Sequence, residues 1–313
     1  MKIGLDTMGG DFAPSVTVKG AIQAQQELAD RFSIALIGDK SKIKEELERE
    51  NVALESFEII HAPDLIGMAE HPTKAFVKKP KSSIAVGFQL LKEGLLDGFA
   101  SAGNSGSMLV GALYTIKSIT GVIRPCITSV LPKENGGIGL ILDVGINADC
   151  KPDVLNQFAS LGSLYATHVH KLKNPRIALL NIGEEEGKGN LLCQAAYNLM
   201  KDSEEYNFIG NIEGRDLFND RADVIVCDGF TGNVVLKQAE AFYALTKKRG
   251  ITDEYFDRFN YENYGGTPIL GVNGSVIIGH GISNAKAIMN MILHTADVID
   301  AKLSSKIKKA FQA

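Results

Sequence analysis

The most constraining feature of this sequence is a regular alternation of short β-rich runs with longer helical patterns. The first part of the chain reads KIGLD, a helical pattern around 15–30, SIALIG, a second around 41–50, FEIIHA, and a third around 82–94. Such alternation is typical of βαβ units, in which helices cover both faces of a largely parallel sheet. Further strand candidates are DGFASAG, CITSVLP, GIGLILDVG, RIALLNIG, NFIGNIE and DVIVCDG. We therefore predict an α/β fold.

Several strand candidates end in loops of small polar residues. These loops are GLDTMGGD, SAGNSGS, LDVGINAD, LNIGEEEGKGN and CDGFTGN. Ligands of open parallel α/β sheets bind outside the carboxyl ends of the strands, so we expect the loops to converge on one crevice. Taken alone, SAGNSGS (101–107) fits a turn as well as it fits an anion cradle at the start of a helix that Met108 opens.

Charge, cysteine content and the N-terminal sequence define the expected partners and compartment. The formal net charge of −4 gives no general attraction to nucleic acid, so no nucleic-acid partner is expected. MKIGLDTMGGDF reads as a strand and turn rather than a secretion signal, and no stretch has the length of a membrane span. The cysteines lack a CxxC pattern. We expect a reduced cytoplasmic protein.

The domain organisation is predicted as a single α/β catalytic unit over 1–313, with two lobes around a cleft as the alternative. A change of lobe is placed near 120–125 or near 235. Residues 234–262 contain a short helical segment followed by an acidic and aromatic stretch. One amphipathic helix, about 284–311, is predicted to end the chain.

Eight motifs, in this order, resemble the bacterial phosphate acyltransferases that make acyl-phosphate from acyl-[acyl-carrier-protein] for phosphatidic acid synthesis. The motifs are DTMGGDFAP (6–14), SAGNSGS (101–107), RPCI (124–127), LDVGINAD (142–149), NIGEEEGKG (181–189), GNIEGRD (210–216), CDGFTGN (227–233) and NYGG…GHGISN (263–284). Three positions depart from the family pattern: Ser105, Ser107 and Ile146. The segment between Asn233 and Asn263 is also shorter and more charged than in many members.

The resemblance implies a fold, a reaction and a set of partners. The implied fold is a three-layer α/β/α structure with a mostly parallel sheet, as in the isocitrate dehydrogenase and phosphotransacetylase group. The implied reaction is reversible acyl transfer from acyl carrier protein to inorganic phosphate, with no cofactor. The implied assembly is a homodimer at the inner face of the membrane, where a membrane acyltransferase would consume the product. By the same resemblance, residues 234–262 are expected to contact the membrane or the dimer partner.

Phosphate-binding residues are predicted in two segments. In SAGNSGS we expect Asn104, Ser105 and the backbone of Gly103 and Gly106 to contact phosphate oxygens. In HPTKAFVKKPKSS the candidates are Lys78, Lys79 and Ser82, together with Lys74, Lys81 and Ser83. Turn chemistry in the first segment and a solvated basic face in the second are the alternatives.

A second group of candidates is predicted to act on the thioester. Lys188, between two glycines, is the first choice for stabilising the oxyanion and the leaving thiolate. The further candidates are Asn147, Asn181 and Asn233 as neutral donors, Asp6, Asp143 and Asp228 as orienting or proton-accepting carboxylates, Glu184 and Glu185 as partners of Lys188, and Gly9, Gly10 and His280 as supporting residues. Turns and helix caps are the alternatives for the Asn and Asp residues.

Metal and thiol chemistry are not expected. His71, His168, His170 and His280 form no motif with metal-ligand spacing, so no metal site is predicted. Cys227, which has no obvious histidine partner, is interpreted as a small buried strand-end residue rather than a nucleophile.

Three other functions stay open at the level of sequence. A nicotinamide-dependent dehydrogenase on a related fold would need a GxGxxG after a first strand, which is absent. An ATP-dependent phosphotransferase of the acetate-kinase kind would explain the strand-end turns LDVGIN and GLDTMGGD. A non-catalytic scaffold for lipid-synthesis enzymes would tolerate alanine at Lys188 and Asn104. An acidic carrier protein would dock on the lysines of 74–81, on 247–249 or on the C-terminus.

Overall fold

A computed structural model describes residues 1–312 and divides them into two compact units. The first unit contains Met1–Ser118 and Tyr261–Ser304, and the second contains Ile119–Asn260 and the chain from Ser305 onward. The strands are β1 (Lys2–Asp6), β2 (Ser33–Gly38), β3 (Glu58–His61), β4 (Gly98–Ser101), β5 (Cys126–Pro132), β6 (Ile138–Leu142), β7 (Arg176–Leu180), β8 (Asn207–Ile212), β9 (Val224–Val226), β10 (Thr267–Leu270) and β11 (Ser275–Ile278).

Helices occupy most of the chain between the strands. They are α1 (Ser15–Leu28), α2 (Lys40–Arg49), α3 (Pro72–Lys78), α4 (Ser83–Lys92), α5 (Ser105–Gly111), α6 (Pro152–His168), α7 (Leu191–Lys201), α8 (Gly229–Lys248), α9 (Glu254–Asp257), α10 (Ala285–Asp300) and α11 (Leu303–Phe311). A π-helical turn, Ala112–Ile116, extends α5. Throughout residues 1–312, no helix combines the length and the apolar character that crossing a bilayer would require.

The sheet of the first unit has the order β3-β2-β1-β4-β11-β10, in which only β10 and β11 pair antiparallel. Successive residues of β4 face opposite sides. A Cβ on Gly98 would lie 2.8 Å from Ile299 of α10, whereas Phe99 packs edge to face on Phe88 of α4 with ring centroids 5.2 Å apart. Helices therefore cover both faces of this sheet.

The strands of the second unit have the order β5-β6-β9-β7-β8, and helices again cover both faces. Here β5 and β6 are antiparallel and the other neighbours are parallel. On one face, Gly162 of α6 lies against Leu142 and Val224. On the other, Ile141 and Ile225 belong to an apolar cluster that Val235 and Leu236 of α8 join. The predicted mostly parallel α/β/α fold is confirmed.

The prediction of one C-terminal helix over 284–311 is wrong. α10 ends at Asp300, Lys302 has a φ of +51°, and α11 starts at Leu303. A residue in the left-handed region ends a helix because the next N–H groups turn back to earlier carbonyls, and the Lys302 N–H donates to the Ile299 carbonyl at 2.8 Å. The break allows Ile299 in α10 and Ile307 in α11 both to be buried.

Two other helices begin earlier than their apolar patterns suggest. The helix after SAGNSGS starts at Ser105 rather than Met108, because the Asn104 side chain caps it by accepting the Ser107 N–H at 2.9 Å. The helix predicted after Asn233 starts at Gly229, where Asp228 is the cap residue. In both cases a polar cap residue adds a first turn that carries little apolar surface.

Candidate active site

In the first unit, loops from neighbouring parallel strands lie along one edge of the sheet. β1, β4 and β11 are adjacent, and the loops that follow them touch: the Asp11 N–H donates to the Gly281 carbonyl at 2.8 Å. A Cβ on Gly9 would lie 2.7 Å from the Gly103 nitrogen, closer than real Cβ atoms approach. Glycine at position 9 thus allows the DTMGGD and SAGNSGS loops to meet, and Gly10 supplies a φ of +110°.

Asp6 organises the floor of these loops from the end of β1. Its Oδ2 accepts the Ser101 hydroxyl at 2.6 Å, Ser101 Oγ accepts the Gly103 N–H at 2.9 Å, and Oδ1 accepts the Met8 N–H at 3.1 Å. Complete burial raises the pKa of Asp6. The hydrogen bonds from Ser101 and Met8 lower this pKa and so offset part of the rise. The Gly103 N–H, predicted as a phosphate ligand, is therefore already bound inside the protein.

The Asn104 side chain is also committed to backbone groups. Its Oδ1 accepts the Ser107 N–H, and its Nδ2 lies 3.1 Å from each of the carbonyl oxygens of Gly67, Met68 and Glu70. Asn104 thereby holds residues 67–70 against the SAGNSGS loop. The neighbouring Ser105 side chain is exposed, and Gly106 is half-buried against Pro72, where a Cβ would lie 2.3 Å from that ring.

The basic segment divides into engaged and unpaired side chains. Lys79 donates to the Glu70 carboxylate at 2.6 Å and to the Leu65 carbonyl at 2.7 Å, and buried Ser82 caps α4 by accepting the Ala85 N–H. Lys74, Lys78 and Lys81 are exposed and join no ion pair among residues 1–312. The cations available to an anionic ligand are therefore these lysines rather than Lys79.

His280 lies in the loop that follows β11. Its ring stacks at a tilt on Tyr261, with centroids 5.0 Å apart, and its carbonyl accepts the Ser283 hydroxyl at 2.6 Å. The Tyr261 hydroxyl donates to the Ile282 carbonyl at 3.1 Å. The imidazole is thus placed at the same strand edge as the DTMGGD loop.

In the second unit, Asp143 and Asn147 form the buried centre of the loop after β6. Asp143 Oδ2 accepts both the backbone N–H and the side-chain amide of Asn147, at 2.6 and 2.9 Å. The same Asn147 amide donates to the Pro125 carbonyl at 2.9 Å. Asp143 Oδ1 accepts the Ile127 N–H at 3.2 Å. These contacts set the loop conformation and leave the Asn147 amide no free donor of its own.

The start of α8 packs directly on that loop. Asp228 caps the helix by accepting the Thr231 N–H and hydroxyl, each at 2.8 Å, and Asn233 donates to the Val144 carbonyl at 3.2 Å. A Cβ on Gly232 would lie 1.9 Å from the Asp143 carbonyl oxygen. Only glycine allows the helix to approach this closely, and Asp228 takes the capping role named above as its alternative.

Lys188 lies on the loop between β7 and α7, which side chains pin at several points. Asn181 donates to the Lys188 carbonyl at 3.1 Å, Asn211 donates to the Glu185 carbonyl at 3.0 Å, and Gln194 donates to the Gly187 and Gly189 carbonyls. The Lys188 ammonium itself is half-exposed and 3.9 Å from Glu185. The loop backbone is fixed while its cation points to solvent.

No group of three or more His, Cys, Asp or Glu side chains that could hold a metal ion occurs among residues 1–312. The cysteines are free thiols: Cys126 and Cys227 are buried, which raises the pKa of each well above its ordinary value, and burial raises the pKa of Cys150 to about 11. Such thiols stay protonated at neutral pH. The interpretation of Cys227 as a buried strand-end residue is confirmed.

Two residues that complete these loops were not predicted from the sequence. Ser101 links Asp6 to Gly103, and Arg221 holds Glu184 through two hydrogen bonds of 2.6 and 2.8 Å. Ser101 carried a signal, since a buried serine ending an apolar strand needs a polar partner. Arg221 carried none, because it is 37 residues from Glu184 in a turn of mixed charge.

The fold defined above is shared with solved phosphotransacetylases. A phosphotransacetylase from Streptococcus pyogenes matches with a TM-score of 0.68 and 18% identity, covering 96% of this chain and 94% of the other. A branched-chain phosphotransacylase from Enterococcus faecalis matches with a TM-score of 0.66 and 14% identity, covering 96% and 99%. At these identities the likeness shows the fold alone, which is an α/β/α fold also found in phosphotransacetylases.

Sequence comparison gives the family. Residues 1–306 match the family model described as "Fatty acid synthesis protein". Proteins named phosphate acyltransferase are 42% identical in Dictyoglomus turgidum, covering 98% of this chain and 96% of the relative, and 42% identical in Desulforamulus reducens, covering 100% and 98%. One from Heliobacterium modesticaldum is 45% identical, covering 93% and 92%. The chain belongs to the fatty acid synthesis protein family.

Proposed function

We propose that this protein transfers a fatty acyl group reversibly from acyl carrier protein to inorganic phosphate, yielding an acyl phosphate and the free carrier thiol. The observation that supports this proposal is 42% sequence identity, across nearly the full length of both chains, to proteins named phosphate acyltransferase. This agreement favours an acyltransferase over an ATP-dependent phosphotransferase and over a non-catalytic scaffold.

The reaction needs positioning and charge stabilisation more than proton chemistry. A phosphate oxygen attacks the thioester carbonyl carbon, and the carbonyl oxygen becomes an oxyanion. The carbonyl then re-forms as the carbon–sulfur bond breaks, and the released thiolate takes a proton from solvent to give the free carrier thiol. Inorganic phosphate is an anion at neutral pH, so its oxygens are nucleophilic without a strong base. Holding two reactants in line lowers the barrier by several kcal/mol, on the order of 7–11 in the best cases.

Our assignment for phosphate combines the exposed Ser105 hydroxyl with nearby cations. Ser105 is exposed beside the glycines of its loop, and Lys78 and Lys74 on α3 carry charges with no ion-pair partner among residues 1–312. Asn104 acts through its hold on residues 67–70, Lys79 acts on the same segment through Glu70, and Ser82 acts by capping α4. Asp6, Gly9, Gly10 and Gly103 then serve as the rigid support of the loop.

Lys188 is our assignment for the developing negative charge. Its ammonium is half-exposed, its backbone is pinned, and its nearest carboxylate is 3.9 Å away. A fixed cation stabilises an oxyanion or a leaving thiolate without reorganising during the reaction. Asn147, Asn181, Asn233 and Asp228 are assigned to holding the loops, since each is hydrogen-bonded to a backbone group.

Two partners follow from the same proposal. The carrier protein is acidic, and the unpaired lysines of 74–81 offer it complementary charge. Helix α8 exposes four apolar side chains and ends in a short basic run. The apolar residues are Phe230, Val234, Phe242 and Leu245, and the basic run is Lys247–Arg249. This surface is suited to bind a membrane or a second copy of the chain.

The proposal is tested by incubating the purified protein with long-chain acyl carrier protein and phosphate, without nucleotide or added metal. We expect free carrier thiol to appear together with an equal amount of acyl phosphate. Thiol release that requires ATP would favour a phosphotransferase, and no release under either condition would reject acyl transfer.

A further inference from the structure

Three consecutive glutamates precede Lys188, and the structure gives each a different partner. Glu184 is held by Arg221 through both of its oxygens, at 2.6 and 2.8 Å, and the exposed Arg215 guanidinium lies 3.7 Å from Glu184 Oε1, a distance at which an exposed pair is weak. Glu186 lies 3.6 Å from Lys201 and accepts the Tyr197 hydroxyl at 3.4 Å. Glu185 alone lies near Lys188, at 3.9 Å, with both side chains at least half-exposed. An exposed pair at this distance binds weakly.

If Arg221 released Glu184, the Glu184 carboxylate would compete with the substrate for the Lys188 ammonium. The Lys188 side chain lies across Gly183, since a Cβ at that position would be 2.8 Å from Lys188 Cγ and 3.2 Å from Cδ. Glu184 is the next residue in the chain. We infer that its carboxylate turns toward the Lys188 ammonium once the two short Arg221 bonds are lost, because the remaining contact with Arg215 is long and exposed.

Arg221 is itself rigidly placed. Its N–H donates to Asn219 Oδ1 at 2.9 Å, and its guanidinium reaches Asp216 Oδ2 at 3.3 Å. Asp216 is buried and forms a reciprocal capping box with Glu213. A bidentate arginine–carboxylate pair has a fixed geometry that a lysine cannot reproduce. The pair also lowers the pKa of Glu184, so that carboxylate stays ionised and bound to Arg221.

We propose that Arg221 is a positioning residue that keeps the Glu184 carboxylate away from Lys188, and so leaves the Lys188 ammonium available to the substrate. The inference rests on the proposed function for its effect on turnover. The loop does not need Arg221 to keep its shape, because Asn181, Asn211 and Gln194 pin its backbone independently. Arg221 acts through the charge of Glu184.

A second substitution, at Glu184, distinguishes a positioning role of Arg221 from a purely structural role. We expect Arg221→Gln to lower kcat/KM about 10- to 100-fold through loss of alignment at the reacting centre. The double variant R221Q/E184Q should recover most of that loss, because the released carboxylate is gone. Arg49→Gln, which breaks the ion pairs of that exposed arginine with Glu45 and Glu46 on α2 and frees no carboxylate in this loop, is the matched control and should leave kcat/KM unchanged. A double variant as impaired as R221Q, or a fully active R221Q, would overturn the inference.

A second measurement does not depend on acyl transfer. Lys188 is labelled with an amine-reactive acetylating ester at fixed pH, its labelling rate is followed by peptide mass spectrometry, and exposed Lys237 on α8 serves as the internal reference. A carboxylate beside an ammonium favours the protonated, unreactive form. We expect Lys188 labelling to slow in R221Q and to recover in R221Q/E184Q. Equal rates in all variants would contradict the inference, even if the wild type proved to have another activity.

Discussion

At the scale of single residues, Lys188 carries the strongest catalytic prediction. Lys188→Ala should lower kcat/KM about 100- to 1000-fold, the usual cost of removing a preorganised group that stabilises an oxyanion. The melting temperature should stay unchanged, because the side chain is half-exposed and its ion pair with Glu185 is long. Lys201→Ala provides a control of similar exposure on α7. Parallel losses of activity and melting temperature would assign Lys188 to structure instead.

Replacing Asn104 should lower both stability and activity, whereas replacing Lys188 should lower activity alone. Asn104→Ala removes a helix cap, worth about 1 kcal/mol, and the donor that holds residues 67–70. We therefore expect the free energy of unfolding in urea to fall together with kcat/KM. Asn104→Asp keeps the capping oxygen and should recover part of the stability. Lost activity at full stability in Asn104→Ala would indicate that the amide contacts phosphate directly.

The residue types of the site could be predicted from the sequence, whereas most of their contacts could not. Small polar residues at strand ends predicted the loops around Asn104 and Asn147. The amide of Asn104 binds carbonyls 34 to 37 residues away, and the amide of Asn233 binds one 89 residues away. A local pattern contains no information about such partners, so ligand and support roles look alike in the sequence.

At the scale of secondary-structure elements, strands were more predictable than helix ends. Strands such as β2 and β6 are buried on both faces, so they appear as continuous apolar runs. The starts of α5 and α8 depend on capping by Asn104 and Asp228, and the break before α11 depends on the backbone of Lys302. These features come from single residues and do not alter the apolar periodicity.

The segment that follows α6 predicts a pH dependence of stability. His170 packs edge to face on Tyr165, and burial lowers the pKa of His170 to about 4. An unfolded histidine titrates near 6.5, so between these pH values the unfolded chain binds a proton that the folded chain does not. The free energy of unfolding should therefore fall as pH is lowered from 7 to 5, by on the order of 2 kcal/mol from this group.

His170→Phe isolates that contribution. Phenylalanine keeps an aromatic ring beside Tyr165 and does not titrate, so the loss of stability between pH 7 and pH 5 should be smaller than in the wild type. Urea unfolding at the two pH values measures the difference. The two proteins are compared by the change in their free energy of unfolding between pH 7 and pH 5, and not by its absolute value. Identical losses in the two proteins would show that His170 titrates normally in the folded state.

At the scale of the whole molecule, the candidate site loops follow the carboxyl ends of parallel strands in each of the two units. The first unit contributes DTMGGD, SAGNSGS and the loop of His280, and the second contributes the loops of Asp143, Lys188 and Asp228. The sequence predicts that these loops converge on one crevice. Within each unit, neighbouring parallel strands bring their loops to a common edge.

Membrane association is a further prediction at this scale. Phe242 and Leu245 are exposed on α8 beside the basic run Lys247–Arg249. We expect the wild type to float with anionic phospholipid vesicles, since apolar insertion and basic charge act together. Replacing both Phe242 and Leu245 with serine should abolish flotation. Leu199→Ser, at a similarly exposed position on α7, is the control. A wild type that stays out of the vesicle fraction would contradict the prediction.

The central claim is that a phosphate oxygen attacks the thioester carbonyl of an acylated carrier protein. The most direct test supplies phosphate labelled at every position with heavy oxygen and measures the mass of the acyl product. Attack by phosphate predicts acyl phosphate that retains every labelled oxygen, formed in step with free carrier thiol. Unlabelled fatty acid as the first product, with thiol released at the same rate in the absence of phosphate, would contradict it.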